Sequence, residues 1–124
     1  MKKEVVVLDA DERQRENLKT LLENHKFKIT PISTLTDLNG FVEKCDCRAV
    51  ILNLDNVSVN NKILREIKRK NPTISIIALS KRQFHPELEE SLRKYISACL
   101  AKPVDPDELV FWLKSVFEDN NETC

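Results

Sequence analysis

The sequence predicts an α/β domain, a doubly wound parallel sheet of five strands with helices on both faces. Three observations predict it. Short apolar runs alternate with helical patterns five times along the 124 residues. Most of the runs are apolar throughout and rich in β-branched residues, which is typical of strands buried on both faces. Strands and helices in this order form right-handed crossovers, which place helices on both faces of the sheet.

The first two strand–helix units lie before residue 45. Residues 5–8 form a continuous apolar strand, and Asp11 is predicted to cap the next helix with Gln14 as its capping-box partner. The second strand, within residues 27–32, gives a weaker signal because its apolar residues only alternate, and the second helix begins near Thr36. The apolar faces of these helices are predicted to be Leu18, Leu21, Leu22, Leu38, Phe41 and Val42.

Prolines mark the third and fourth units. Residues 49–52 form an apolar third strand, and the third helix, at about residues 61–70, ends before Pro72 because a residue that precedes proline avoids helical geometry. The fourth strand lies within residues 74–79, and Pro86 suits the first turn of the fourth helix.

The fifth unit ends the predicted domain. Residues 98–101 form a short strand, and the last helix has Asp105 as its cap and Pro106 at its first position. Its apolar face is predicted to be Leu109, Val110, Leu113, Val116 and Phe117. We therefore expect residues 1–118 to form one domain and residues 119–124 to form a polar C-terminal tail.

The charge balance and hydropathy exclude several classes of protein. Twenty basic and 20 acidic residues give zero net charge, which is not the electrostatic signature of a general nucleic-acid binder. No apolar run approaches the roughly 20 residues of a membrane helix. The apolar run near the N-terminus is followed at once by Asp9, Asp11 and Glu12, so we do not expect it to be a secretory leader. We expect a cytoplasmic protein that binds neither nucleic acid nor membrane.

The side chains that commonly hold metals are scattered. They are His25, His85, Cys45, Cys47, Cys99 and Cys124. Cys45 and Cys47 form a C-x-C pair without the second pair that a zinc site needs, so we expect reduced thiols and no metal. Gly40 is the single glycine, which excludes glycine-rich loops for phosphate-bearing cofactors.

Ligands of an open α/β sheet bind beyond the carboxyl ends of the strands, where the strand order reverses. The residues to examine therefore follow the first, third, fourth and fifth strands. They are Asp9, Ala10, Asp11, Asn53, Asp55, Ser80, Lys102 and Pro103.

Together with these strand-end residues, the pattern of the whole chain resembles the receiver domain of response regulators, the flavodoxin-like module of bacterial two-component phosphorelay signalling. The resemblance rests on residues 5–23, residues 49–54, Ser80 and residues 100–103, at matching distances along the chain. It implies an aspartate phosphoacceptor after the third strand and a second acid after the first strand that helps to hold Mg²⁺. It also implies a lysine and a hydroxyl that bind the phosphoryl group.

Two anchoring carboxylates of that site are replaced in this sequence. Asp9 matches the first acid, but Ala10 stands in place of the second, and Asn53 stands at the phosphoacceptor position. Ser80 and Lys102 match the hydroxyl and the lysine. We therefore expect a degenerate phosphorylation pocket without Mg²⁺, in which Lys102 forms an ion pair with Asp9.

Four further residues lie near the predicted pocket. Cys99 stands at the aromatic switch position of the fifth strand and is expected to be a small buried side chain. Pro103 is a candidate for a cis peptide bond, as is usual in the family. Asp11 and Asp55 are the nearby acids, but Asp11 is interpreted as a helix cap and Asp55 as a loop residue whose backbone carbonyl alone matches the family.

Three functions remain open. The preferred one is a pseudo-receiver, not an enzyme, that transmits a signal by binding a protein partner or a second copy of itself without phosphorylation. The second is a receiver phosphorylated on Asp55 or Asp11. The third is an unrelated flavodoxin-like binding protein or enzyme, which is disfavoured because the strand ends lack phosphate loops and any nucleophile–base pair.

The resemblance also implies where a partner or a second copy would bind. Receivers commonly use the face made by the fourth helix, the fifth strand and the fifth helix. The charged residues expected there are Glu87, Glu89, Glu90, Arg93, Lys94, Asp107, Glu108 and Lys114. Such mixed charge suits a modest polar contact that weakens with salt.

Overall fold

A computed structural model describes residues 4–44 and 48–122 of the chain. The strands are β1 Glu4–Leu8, β2 Lys28–Ile32, β3 Ala49–Asn53, β4 Ser75–Ser80 and β5 Ile96–Ala101. The helices are α1 Glu12–Glu23, α2 Leu35–Lys44, α3 Asn61–Lys70, α4 Glu89–Lys94 and α5 Pro106–Glu122, with a 3₁₀ turn at Pro86–Leu88 before α4. Within the described ranges, the five strands form one parallel sheet in the order β2-β1-β3-β4-β5, which is the flavodoxin-like order.

Alternate residues of the central strands point to opposite faces of the sheet, and each face has its own helices. Val6 and Leu8 of β1 pack in the cluster that α2, α3 and α4 cover. Val5 and Val7 pack in the cluster that α1 and α5 cover. Because both faces are buried, β1 is apolar at every position from Val5 onward, which is the pattern that predicted this architecture. The predicted fold class is confirmed.

The strand order places four loops at one edge of the sheet. β1 lies between β2 and β3, so the order of strand addition reverses beside β1. Leu8 pairs with Leu52, and Asn53 pairs with Leu79, so the ends of β1, β3 and β4 lie side by side. The carboxyl end of edge strand β5 joins them through the pairing of Ser80 with Ala101. This edge is where sheets of this class bind ligands.

The start of α1 differs from the prediction in one respect. Asp11 caps the helix as expected, since its side chain accepts hydrogen bonds from the amides of Arg13 and Gln14. The predicted capping box is wrong, because the Gln14 side chain accepts a hydrogen bond from Asn53. The Asp11 amide donates to the Asp9 carboxylate instead. The residue that was expected to complete a local cap therefore points into the pocket.

The C-terminal part of the chain shows one further difference. The prediction that Cys99 is buried is wrong: its side chain is exposed, because β5 is an edge strand and buried and open positions alternate along it. Helix α5 continues to Glu122, into the segment predicted to be a tail. In the described part of the chain, no helix has both the length and the apolar character to cross a membrane. Predictions that lie outside the described residues or side chains concern Cys45, Cys47, Cys124 and Val42.

Candidate functional site at the carboxyl edge of the sheet

Four predicted site residues meet where their strands end. Asp9 follows β1, Asn53 ends β3, Ser80 ends β4 and Lys102 follows β5. Asp9, Asn53 and Ser80 are each only 1% exposed, and the Lys102 side chain is 12% exposed. Polar groups with so little access to water need partners within the protein. In the part of the chain that the structure describes, every buried side-chain nitrogen and oxygen has one.

The acidic side of the pocket is built around Asp9. Its Oδ2 accepts a hydrogen bond from Asn53 Nδ2 at 2.9 Å. Its Oδ1 accepts from Asn56 Nδ2 at 2.6 Å and from the Asp11 amide at 2.8 Å. Both carboxylate oxygens therefore face N–H donors. Ala10 contributes only its backbone, and its amide donates to Asn56 Oδ1 at 3.0 Å.

Asn53 joins the two sides of the pocket. Its Nδ2 donates to Asp9 and, at 2.9 Å, to Gln14 Oε1. Its Oδ1 accepts from Lys102 Nζ at 2.7 Å and from the Asp55 amide at 3.0 Å. An asparagine amide has two donors and an acceptor oxygen with two lone pairs, and all of these are used here. An aspartate could not donate to Asp9 or Gln14, so the network fits the amide specifically.

On the other side of the pocket, Lys102 and its neighbours surround the Asp55 carboxylate. Its Oδ2 lies 2.8 Å from Lys102 Nζ and 3.1 Å from the Lys81 amide nitrogen. The Ser80 hydroxyl donates to its Oδ1 over a longer distance of 3.4 Å. Burial raises the pKa of Asp55, but the hydrogen bond and charge of Lys102, with the Lys81 and Ser80 donors, outweigh burial and leave that pKa below its ordinary value. Asp55 is therefore a carboxylate at neutral pH.

The predicted ion pair between Lys102 and Asp9 is wrong, because Lys102 pairs with Asp55. The oxygens of Asp9 are taken by amide donors. Asp55 comes within reach because the loop after β3 turns back: the Asp55 amide bonds Asn53 Oδ1, and the Val57 amide bonds the Asn53 carbonyl. The side chain of Asp55, expected to stay in the loop, is thus part of the pocket.

The remaining predicted residues lie around this network. The Lys102–Pro103 peptide bond is cis. Asp11 stays at the helix terminus, where its Oδ1 accepts from two backbone amides of α1. Although the Cys99 side chain is largely exposed, partial shielding of the thiol from water and the charge of Asp55 raise its pKa, so the thiol is protonated and poorly nucleophilic at neutral pH.

Sequence reasoning did not identify Asn56 and Gln14 as part of the site. Gln14 lies in the first turn of α1, where helix capping alone is enough to account for it. Asn56 lies three residues beyond the end of β3, in a loop where any polar residue is ordinary. The signal that could have found them is the loss of two acids, because Asp9 then needs other donors at the same edge.

Comparisons with known proteins were made for the whole chain. The family model described as the response regulator receiver domain matches residues 5–114. The signal receiver domain of an HD domain-containing protein from Pseudomonas fluorescens Pf-5 is 18% identical, with a TM-score of 0.87 over 98% of this chain and 99% of that chain. A CheY-like receiver domain protein from Methanospirillum hungatei JF-1 is 18% identical, with a TM-score of 0.86 over 98% and 99% of the two chains. A receiver domain protein from Clostridium thermocellum is 23% identical, with a TM-score of 0.85 over 98% of each chain. No curated protein sequence matches this chain.

Proposed function

Because this chain belongs to the response regulator receiver domain family, we propose that it is a two-component receiver that signals by binding a protein partner, or a second copy of itself, without being phosphorylated. Membership of the family removes an unrelated flavodoxin-like protein from the candidate functions. The proposed module has no catalytic role of its own.

The proposal rests on the amide chemistry, the burial and the hydrogen bonds of Asn53. This residue stands where the family resemblance implies the phosphoacceptor. Its side chain is an amide, which is not the carboxylate nucleophile that forms an acyl phosphate. It is also 1% exposed, and its hydrogen bonds to Asp9, Gln14 and Lys102 leave no free group to meet a phosphodonor.

The donor set also does not fit Mg²⁺. This ion needs oxygen ligands in octahedral geometry and is usually anchored by one or two carboxylates. On the acidic side, Asp9 supplies one carboxylate, and Asn53 and Asn56 direct N–H groups at it. The Asn53 oxygen already accepts from Lys102. The amide N–H groups satisfy the oxygens of Asp9, which a bound cation satisfies at a site that contains several carboxylates. We therefore propose that no Mg²⁺ binds here.

We propose that the partner surface is the face formed by α4, β5 and α5. β5 is an edge strand, packed by α4 on one side of the sheet and by α5 on the other. Glu87 and Glu90, predicted to be available there, pair within the domain with Arg82 at 3.2 Å and Arg65 at 3.1 Å. The other charged side chains predicted for this face are all exposed: Glu89, Arg93, Lys94, Asp107, Glu108 and Lys114. Such a surface suits a polar contact that is weakened by salt.

One geometric observation favours a second candidate, phosphorylation on Asp55. Its carboxylate is ionised, is 23% exposed and contacts Lys102 and Ser80. Asp11, the other acid considered, instead caps α1 with its side chain. Phosphorylation of Asp55 needs the carboxylate to leave its ion pair and needs a metal that the donors do not fit, so it ranks second.

Incubation with acetyl phosphate and Mg²⁺, followed by intact-mass measurement, separates the two candidates. We expect the wild-type protein to gain no phosphoryl group, and we expect a large excess of Mg²⁺ to leave the amide resonances of Ala10 and Asp55 unmoved. Ala10→Asp combined with Asn53→Asp is the positive control. A phosphoryl group that appears on the wild type and disappears in Asp55→Asn would establish the second candidate.

Partner binding is tested separately, by sedimentation and by capture of partners without any phosphodonor. Binding that depends on a phosphodonor would contradict the proposed function.

A further inference from the structure

The family resemblance already assigns Ser80 and Lys102 to the phosphoryl group. We propose that in this chain the Asp55 carboxylate occupies that oxyanion site, made by Ser80, the backbone of Lys81 and the side chain of Lys102, as a ligand built into the chain. The ligand class is a carboxylate or a phosphate ion. The inference concerns the anion site itself and does not depend on which partner the domain binds.

Three different kinds of donor converge on one carboxylate. The Lys102 ammonium lies at 2.8 Å, the Lys81 amide at 3.1 Å and the Ser80 hydroxyl at 3.4 Å. A full positive charge combined with a backbone amide and a hydroxyl is a general arrangement for binding oxyanions, because each N–H or O–H bond to an anion is charge-assisted.

The donors are held in place independently of Asp55. Lys102 also donates to Asn53 Oδ1 at 2.7 Å, and its backbone amide bonds the Ser80 carbonyl at 3.1 Å. Ser80 is 1% exposed and belongs to β4. The cage is therefore part of the sheet edge, and we expect it to persist when the Asp55 side chain is shortened.

The loop after β3 delivers the carboxylate to this cage. The Leu54 amide bonds the Leu79 carbonyl at 2.9 Å, and the Asp55 amide bonds Asn53 Oδ1 at 3.0 Å. These bonds anchor two successive backbone amides, the second of which is that of Asp55 itself, so the tether is short. A ligand on a short tether has a high effective concentration, which excludes free anions from the same site.

The bound carboxylate also holds the segment that leads into α4. Ser80 Oγ, which donates to Asp55, accepts from the Arg82 amide at 3.0 Å. The Arg82 carbonyl lies 3.2 Å from His85 Nε2, and the Arg82 guanidinium pairs with Glu87 in the 3₁₀ turn. We infer that an anion in the cage, tethered or free, sets the conformation of residues 80–87.

Chemical rescue tests the proposal. In the variant Asp55→Ala, we expect the amide resonances of Lys81, Arg82 and His85 to move away from their wild-type positions. Sodium formate or inorganic phosphate should then return them toward those positions, whereas chloride at equal ionic strength should not. The apparent affinity for formate should exceed that of the wild type by at least about tenfold, because the tethered carboxylate no longer competes.

Two controls accompany the titration. Adding Lys102→Met to the variant should abolish the response to anions. Asp37→Ala, which removes an exposed acid from the first turn of α2, should leave the wild-type behaviour unchanged. If Asp55→Ala does not fold, Asp55→Ser serves for the same titration.

The proposal is overturned if the Asp55 variant keeps the wild-type resonances, if the folded variant does not respond to formate or phosphate, or if the wild type responds with equal affinity. An acyl phosphate on the wild-type protein would contradict the proposed function and would not alter this result, so the two failures are distinguishable.

Discussion

Loss of the Lys102 ammonium group is expected to destabilise the domain through two broken contacts. Lys102→Met keeps a similar aliphatic side chain but removes the ion pair to Asp55 at 2.8 Å and the hydrogen bond to Asn53 Oδ1 at 2.7 Å. The Asp55 carboxylate then remains partly shielded from water without its cation, and Asn53 loses a donor. Both effects lower the free energy of unfolding.

The exposure of the pair sets the magnitude. The Lys102 and Asp55 side chains are 12% and 23% exposed, so the pair is intermediate between a surface and a buried ion pair. Surface pairs contribute about 0.2–1 kcal/mol, whereas breaking a buried pair costs about 3–5 kcal/mol. We expect a loss of about 2 kcal/mol, and a Tm that is about 8 °C lower for a domain of this size.

Urea unfolding of a double-mutant cycle measures the pair directly. Lys102→Met is combined once with Asp55→Asn and once with Asp9→Asn. The coupling energy with Asp55 should be about 1–2 kcal/mol, as expected for residues in contact, and the coupling with Asp9, which contacts Lys102 only through Asn53, should be smaller. The reverse order would refute the pairing and would support the ion pair that the sequence predicted.

Three other outcomes are expected. Ala10→Asp with Asn53→Asp should create Mg²⁺ affinity and lower the metal-free stability by roughly 1–3 kcal/mol, since a carboxylate replaces the Asn53 amide donor and a second carboxylate is added beside Asp9. Thermal melts with and without Mg²⁺ check this, and equal Tm values would contradict it. The folded-state pKa of Asp55 lies below its ordinary value of 3.8, so its stabilisation is complete above that pH and is lost as the pH falls through the lower folded pKa. Urea midpoints of the wild type and Asp55→Asn should therefore differ at neutral pH and converge in acid, and a gap that widened in acid would be inconsistent with a lowered pKa. Arg93→Glu on the proposed face should weaken self-association or partner capture severalfold at low salt, and the matched Lys19→Glu on α1 should not. Sedimentation of both variants tests this, and dissociation caused by Lys19→Glu alone would show that the proposed face is wrong.

The fold was predictable because its signals are local. Runs such as residues 49–52 are apolar at every position, and that pattern has few explanations other than a strand covered on both faces. Asp11 before the first helix is an equally local signal, and its cap geometry is as predicted. The carboxyl ends of the strands of a parallel sheet lie at one edge, so the sequence alone predicts that Asp9, Asn53, Ser80 and Lys102 meet.

The pairing inside the pocket was not predictable from the sequence in the same way. Which acid reaches Lys102 depends on the turn that Asn53 makes with the backbone of the next residues, and spacing along the chain does not encode that turn. The charges at the matched positions indicate one acid and one base, which favours Asp9 as the partner of Lys102. Asp55 and Asn56 reach the pocket because of the conformation of the loop after β3. The exposure of Cys99 follows from the position of β5 at the edge of the sheet.

The covalent attachment of the Asp55 carboxylate has a consequence for timing. A phosphoryl group on an aspartate has a lifetime, because water removes it, and a receiver that carries one therefore measures time as well as signal. The carboxylate of Asp55 is joined to the chain by carbon–carbon bonds and is not removed by hydrolysis. The anion therefore persists as long as the polypeptide does, and no hydrolysis step limits the duration of the signal. If the proposed function is correct, the strength of its signal follows how many copies the cell makes and how quickly it degrades them.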